Sequence, residues 1–107
     1  MTTTEFEKLA DAALEHLSRA LEESSVDCDC EPKGSGVLEL EFGDGSRIVV
    51  NRHSAAQEIW VASKSGGYHF RWSGVDWVNT RDGSELFAAL SKLVSHQSGT
   101  PIVLQRM

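Results

Sequence analysis

The order of patterns along this 107-residue chain predicts an α+β fold, with two helices laid on one face of a single antiparallel sheet. Three observations carry that expectation. Apolar residues recur at three- and four-residue spacing near each end of the chain. Between those ends, short segments alternate apolar with polar residues, and Gly, Pro, Asp and Ser turns separate them. The length and the 40% apolar content suit one domain, residues 1–107, able to fill a core without disulfide staples.

Taken in order, Thr4 and Glu7 match the spacing of a capping box, so a first helix is expected to open there. Phe6, Leu9, Ala10, Ala13, Leu14, Leu17 and Leu21 then share one apolar face up to about Glu23. At roughly 100° per residue, Glu7, Asp11, Glu15 and Glu22 fall at about 0, 40, 80 and 60° around the axis, one acidic stripe beside that face. After Ser24 and Ser25 the period changes: Val26, Cys28 and Cys30 are expected to face inward on a strand, with Asp27, Asp29 and Glu31 outward. A turn over 32–36 leads to a strand over 37–42 with Leu38, Leu40 and Phe42 on one face and Glu39 and Glu41 on the other. Gly43, Asp44 and Gly45 close a hairpin into the next strand.

Three more strands follow over 47–51, 58–63 and 68–72, joined by a polar link and by a turn at Gly66 and Gly67. Their outward face carries Asn51, Trp60, His69 and Arg71. Because Ile59 and Val61 supply the opposite face, Trp60 is not explained by the core, whereas Trp72 and Trp77 are. Ser73 and Gly74 turn the chain into a short strand over 75–79. Asp82 and Glu85 repeat the capping-box spacing, and Leu86, Phe87, Leu90, Leu93, Val94 and Gln97 form a second helical face that Gly99 stops, with Pro101 beyond it. Ile102 to 104 adds an apolar plug or a short strand.

Charge is unevenly placed. Residues 1–31 hold nine acids and two bases, so the first third accounts for more than the whole net charge of −6. Nucleic acid is therefore not an expected partner, since phosphates require clustered Lys and Arg. Cations or a basic protein surface suit the acidic end better. No apolar run reaches a membrane span and the start of the chain resembles no targeting signal, so a cytoplasmic protein with no membrane contact is expected. Cys28 and Cys30 point the same way on a strand and are expected to stay reduced.

Hard oxygen ligands in this density suit hard cations, although the spacing is not that of an EF-hand, because Pro32 and Leu38 stand where Gly and the bidentate Glu belong. Carboxylates on an open surface would hold a cation weakly. There is no nucleophile elbow, phosphate-binding loop, dinucleotide fingerprint or His-Glu-x-x-His motif, so no catalytic residue is assigned. The histidines His16, His53, His69 and His96 are scattered and read as surface residues. An exposed Trp beside an Arg is the composition of a protein interface.

These residues resemble the frataxin family, and within it the bacterial branch. The resemblance spans essentially the whole chain: the acidic start E-F-x-x-L-A-D, the strands D-C-D-C-E and G-V-L-E-L-E-F, then I-V-V-N-R followed by Q-E-I-W-V-A-S-K-S-G-G-Y-H-F. It implies a two-layer α/β sandwich and an iron-binding regulator, or iron carrier, of iron-sulfur cluster assembly. Such a protein acts by contact with the cysteine desulfurase and the iron-sulfur scaffold protein, and is monomeric without iron. By position, weakly bound iron (Fe2+/Fe3+) maps to Glu15, Glu22, Glu23, Asp27, Asp29 and Glu31, flanked by Glu7 and Asp11. Partner binding maps to Asn51, Gln57 and Trp60. A ferroxidase activity is ascribed to some members; the residues here imply no enzyme. The chain departs from the family where Ser18 and Arg19 replace carboxylates and where Arg71 stands in place of an acid.

Overall fold

A computed structural model of the chain describes residues 1–105. Helix α1 (Thr3–Glu23) is followed by six strands, β1 (Cys28–Pro32), β2 (Val37–Phe42), β3 (Arg47–His53), β4 (Glu58–Ser63), β5 (Gly66–Trp72) and β6 (Trp77–Asn79), and by helix α2 (Leu86–Ser98). The strands form one antiparallel sheet in sequence order, so every connection is a short hairpin. Both helices cover the same face, which gives the expected two layers.

Helix α1 begins two residues earlier than its pattern suggested. Thr2, not Thr4, is the cap: its hydroxyl accepts from the Glu5 amide at 3.1 Å, and the Glu5 carboxylate accepts from the Thr2 amide at 3.1 Å. Phe6, in the first turn, is fully buried with its ring edge-on to Trp77. Phe6, Ala10, Ala13, Leu14, Leu17 and Leu21 then bury the predicted face. Ser24 ends the helix, its hydroxyl donating to the Leu21 carbonyl at 2.8 Å.

Leu38, Leu40, Phe42, Ile48, Val50, Ile59, Val61 and Phe70 cover the inner side of the sheet, as alternation requires. Helix α2 adds Leu86, Phe87, Leu90 and Val94. Its N-cap is Glu85 itself, whose carboxylate accepts from the amides of Phe87 and Ala88 at 2.8 and 3.1 Å. Asp82, expected to cap the helix, instead closes the preceding turn by accepting from the amide and hydroxyl of Ser84. Gly99, with φ of 74°, ends α2 in the left-handed conformation that favours glycine.

Beyond α2 the chain lies along the helix as a plug and not as a strand: Ile102 and Leu104 are buried, and the Ser95 and Ser91 hydroxyls accept from their amides at 2.8 Å. Gln97, also buried, joins three elements, accepting from the Lys64 amide at 3.0 Å and donating to Ser46 Oγ at 3.0 Å and the Arg47 carbonyl at 3.3 Å. The loop between β4 and β5 is Lys64 and Ser65; Gly66 and Gly67, expected to form it, are the first residues of β5 and pair with Ser63 and Ala62. Similarly β6 starts at Trp77, because Ser73 Oγ holds the amides of Val75 and Asp76 in a turn.

Candidate functional site

The outer face of the sheet is fixed by strand parity and register. Asp29 lies opposite Glu41, and Glu31 opposite Glu39, so four carboxylates line the outer face of β1 and β2. Such like-charged cross-strand pairs oppose folding, and Arg47, opposite Glu41, offsets part of the cost by reaching Glu39 at 3.6 Å and Glu41 at 3.7 Å. Glu39 and Glu41 extend the predicted acidic set. Their parity with Leu38 and Leu40 was visible in the sequence, while their alignment with Asp29 and Glu31 depends on the hairpin register.

The structure divides the predicted acidic residues into two groups. Glu7 accepts from the Ser54 hydroxyl at 2.9 Å, Asp11 pairs with Arg52, Glu15 with Arg19 at 2.9 Å and Glu31 with Lys33 at 3.0 Å. Glu22, Glu23, Asp27 and Asp29 are exposed, and among the described residues no cation pairs with them. They run from the end of α1 through the connection into β1. Asp27 and Val26 precede that strand, since β1 starts at Cys28 rather than at Val26 as expected, the Ser24 hydroxyl accepting from the Val26 amide at 3.3 Å. Among the described residues no three His, Cys, Asp or Glu side chains are gathered into a pocket that could hold a metal ion. The acidic edge is thus a line of separate surface ligands.

Cys28 and Cys30 face inward and are half-buried. Burial, then the neighbouring Cys30, Asp29 and Asp27, pushes the Cys28 thiol up to about 11. Burial likewise raises that of Cys30, whose Sγ donates to Ser18 Oγ at 4.0 Å, a bond that works in the opposite direction. Protonated thiols of this kind are poor metal ligands and poor nucleophiles at neutral pH.

The second region lies across β3, β4 and β5. Asn51, Trp60 and His69 are directly opposite one another in adjacent strands. Trp60 is half-buried because its indole is sandwiched: the His53 ring lies 3.9 Å away at 11° and the His69 ring 4.7 Å away at 10°. Its N–H donates to Glu58 Oε1 at 2.8 Å. Glu58 is only 7% exposed, yet it also accepts from Arg71 Nε at 2.8 Å and has His69 Nδ1 at 3.4 Å. Burial works to raise its carboxyl, but the hydrogen bonds from Arg71 and Trp60 and the charges of Arg71 and His69 outweigh that, and the net position is below the ordinary carboxylate value.

Gln57, placed by sequence with Asn51 and Trp60, sits apart from them in the β3–β4 turn. Its backbone is left-handed, with φ of 53°, and its side-chain amide donates to the Met1 carbonyl at 2.8 Å. Sequence reasoning missed Glu58 and His53. The i, i+2 relation of Glu58 to Trp60 was a usable signal for the first; the approach of His53 to Trp60 depends on a β3 that continues two residues further than expected.

No helix of the described residues is long and apolar enough to cross a membrane. The family model described as Frataxin-like domain matches residues 1–100. The chain is 52% identical over 105 residues to the iron-sulfur cluster assembly protein CyaY of Dechloromonas aromatica, covering 98% of this chain and 100% of that one. It is 53% identical over 110 residues to the CyaY of Janthinobacterium sp. (strain Marseille), with 98% and 97% covered. Among solved structures, the frataxin of Psychromonas ingrahamii superposes with a TM-score of 0.91 at 27% identity, over 99% of this chain and 100% of that chain. A trimeric frataxin of Saccharomyces cerevisiae, complexed with ferrous iron, superposes with a TM-score of 0.72 at 31% identity, over 85% and 86%.

Proposed function

Because this chain belongs to the frataxin-like family, we propose that it serves iron-sulfur cluster assembly as a cytoplasmic regulator that docks on the cysteine desulfurase and its scaffold protein and carries iron weakly. The observation that carries this reading is the unbalanced run of Glu22, Glu23, Asp27 and Asp29, at the β1 side of a sheet whose outer face bears Asn51 and the Trp60 stack on β3 and β4. Aligned like charges without compensation oppose folding, so the run gains a rationale if a basic surface or a cation meets it. Iron is cargo in this account. Exposed oxygen ligands with no enclosing pocket suit transient loading of a hard cation, with limited selectivity. Glu15 and Glu31 hold their own cations and join such loading only by releasing Arg19 and Lys33.

A partner then meets two kinds of surface at once. The acidic edge attracts a basic patch and speeds encounter, and the shaped face around Trp60 fixes orientation. Reversing the four free acids to Lys removes the first contribution and leaves the sheet intact. The expected result in a titration against the desulfurase is loss of measurable binding, and unchanged affinity would refute the reading. A second reading, an acidic interaction module that never uses metal, is favoured by the ion pairs that already occupy Asp11, Glu15 and Glu31. Amide NMR during Fe(II) or Co(II) titration separates the two. Broadening over residues 15–31 belongs to the iron reading, and sharp signals throughout belong to the second.

A further inference from the structure

Of the four histidines in the sequence, two converge on one ring. His53, at the end of β3, and His69, in β5, cover both faces of Trp60, so a partner meets the indole only at its outer edge and otherwise meets imidazole. Whatever docks on this face therefore contacts the side chain whose charge changes between about pH 5 and 8. The two rings are held differently. The Ala56 amide donates to His53 Nδ1 at 3.3 Å, which requires an unprotonated Nδ1 and places the ring proton on Nε2. A second proton, on Nδ1, would take away the acceptor of that bond and leave a cationic ring on the indole face. His69 Nδ1, by contrast, lies 3.4 Å from Glu58 Oε1.

Among the described residues, the charged groups that strand register sets beside the stack are few. Glu58 from β4 and Arg71 from β5 form a pair that is close to neutral; Glu7 of α1 is engaged by Ser54, next in the chain to His53; and β6 brings Trp77, Val78 and Asn79, which carry no charge. The imidazoles are thus the groups that set the sign of this half of the face. The other half, across β3, sets Asp29, Glu31, Glu39 and Glu41 against Arg47 and Lys33 and is net acidic.

We propose that the His53–Trp60–His69 stack is a proton-sensing part of the docking surface. With neutral rings it is an uncharged ledge that a basic partner surface spans together with the acidic half; protonated rings place positive charge inside that footprint and release the partner. The proposal rests on the docking reading above, and adds that affinity is set by pH through these two residues. The occupant is a basic protein surface, chosen by complementarity with the acids on the same face.

The test compares the full-length chain with its His53→Gln, His69→Gln double variant in titrations against the purified desulfurase, at about pH 8 and about pH 6 and constant ionic strength. The wild type is expected to bind roughly three- to tenfold more weakly at the lower pH, as one or two added charges in a partly shielded footprint allow. The double variant is expected to lose that ratio. Equal wild-type affinities at both pH values, or an unchanged ratio in the variant, would overturn the proposal while leaving docking itself in place. Absence of binding at either pH would overturn both. In the free chain, the indole N–H signal of Trp60 is expected to move over the same pH interval, and a stationary signal overturns the proposal whatever the titrations give.

Discussion

Removing the Glu58 carboxylate tests whether the outer face is organised around it. Its side chain is 9% exposed and receives the Trp60 indole N–H and Arg71 Nε, each at 2.8 Å. These two bonds differ in worth. A hydrogen bond from a half-buried indole to a carboxylate contributes about 1.5–3 kcal/mol. Arg71 has a side chain 64% exposed, so water screens its pair to about 0.2–1 kcal/mol. Glu58→Ala is therefore expected to cost about 2–3 kcal/mol in urea unfolding at neutral pH with an unchanged m-value, Glu58→Gln about 1 kcal/mol, and Arg71→Ala less than that. Because the carboxyl is held below its ordinary value, its contribution is present above the unfolded carboxylate pKa and fades as pH falls through the folded one. The gap between wild type and Glu58→Gln should then narrow on acidification below about pH 4. A Glu58→Ala protein within about 0.5 kcal/mol of wild type would refute the reasoning.

Other expectations follow from single observations. Gly36 has φ of 76°, and a Cβ there would lie 2.6 Å from Arg52 Nε, so Gly36→Ala should lower stability by about 1–3 kcal/mol in thermal melts; a neutral effect would remove the clamp that Arg52 forms with Asp11 and Ser35. The Cys28 thiol, pushed up to about 11, should react with a thiol reagent at mildly alkaline pH about a hundredfold more slowly in the folded chain than in urea, and equal rates would contradict its burial. Sodium chloride should raise the melting temperature, because it screens the repulsion among Glu22, Glu23, Asp27 and Asp29; a melt insensitive to salt would mean that the acidic edge carries no strain.

The face that each residue presents was legible in the sequence wherever a period was long enough to read. The apolar set of α1, the inward Leu38, Leu40 and Phe42, and the outward Trp60 follow from periods of 3.6 and 2, and all hold in the structure. Boundaries were harder, for a physical reason. The start of the chain offers two boxes at equal spacing, Thr2 with Glu5 and Thr4 with Glu7; in the structure Glu5 closes the first, while the Glu7 carboxylate is engaged by Ser54, 47 residues away. Glu85 could serve as third residue of a box or as the cap itself, and only the position of Leu86 in the core decides. The Gly66 and Gly67 pair looked like the turn, yet the register that places His69 opposite Trp60 puts it inside β5.

The site divides along the same line. Exposed acids and the outward Trp60 could be read from local pattern. The pairing of Asp11 with Arg52, 41 residues away, and the bond from Ser54 to Glu7, 47 residues away, could not; together with the local pairs of Glu15 with Arg19 and Glu31 with Lys33, they reduce the free acidic run to four residues. Nor could the convergence of His53 and His69 on one ring be seen until the β3–β4–β5 register was known.

The central claim, that the chain acts on cluster assembly by contact through its acidic edge and its Trp60 face, is tested most directly by a reconstituted assembly reaction with desulfurase, scaffold, cysteine and iron. Wild-type protein is expected to change the initial rate of cluster formation. A folded variant with Glu22, Glu23, Asp27 and Asp29 reversed to Lys, and a folded Trp60→Arg variant, are each expected to leave it at the rate of the reaction without this protein. Variants that change the rate as much as the wild type does would contradict the account.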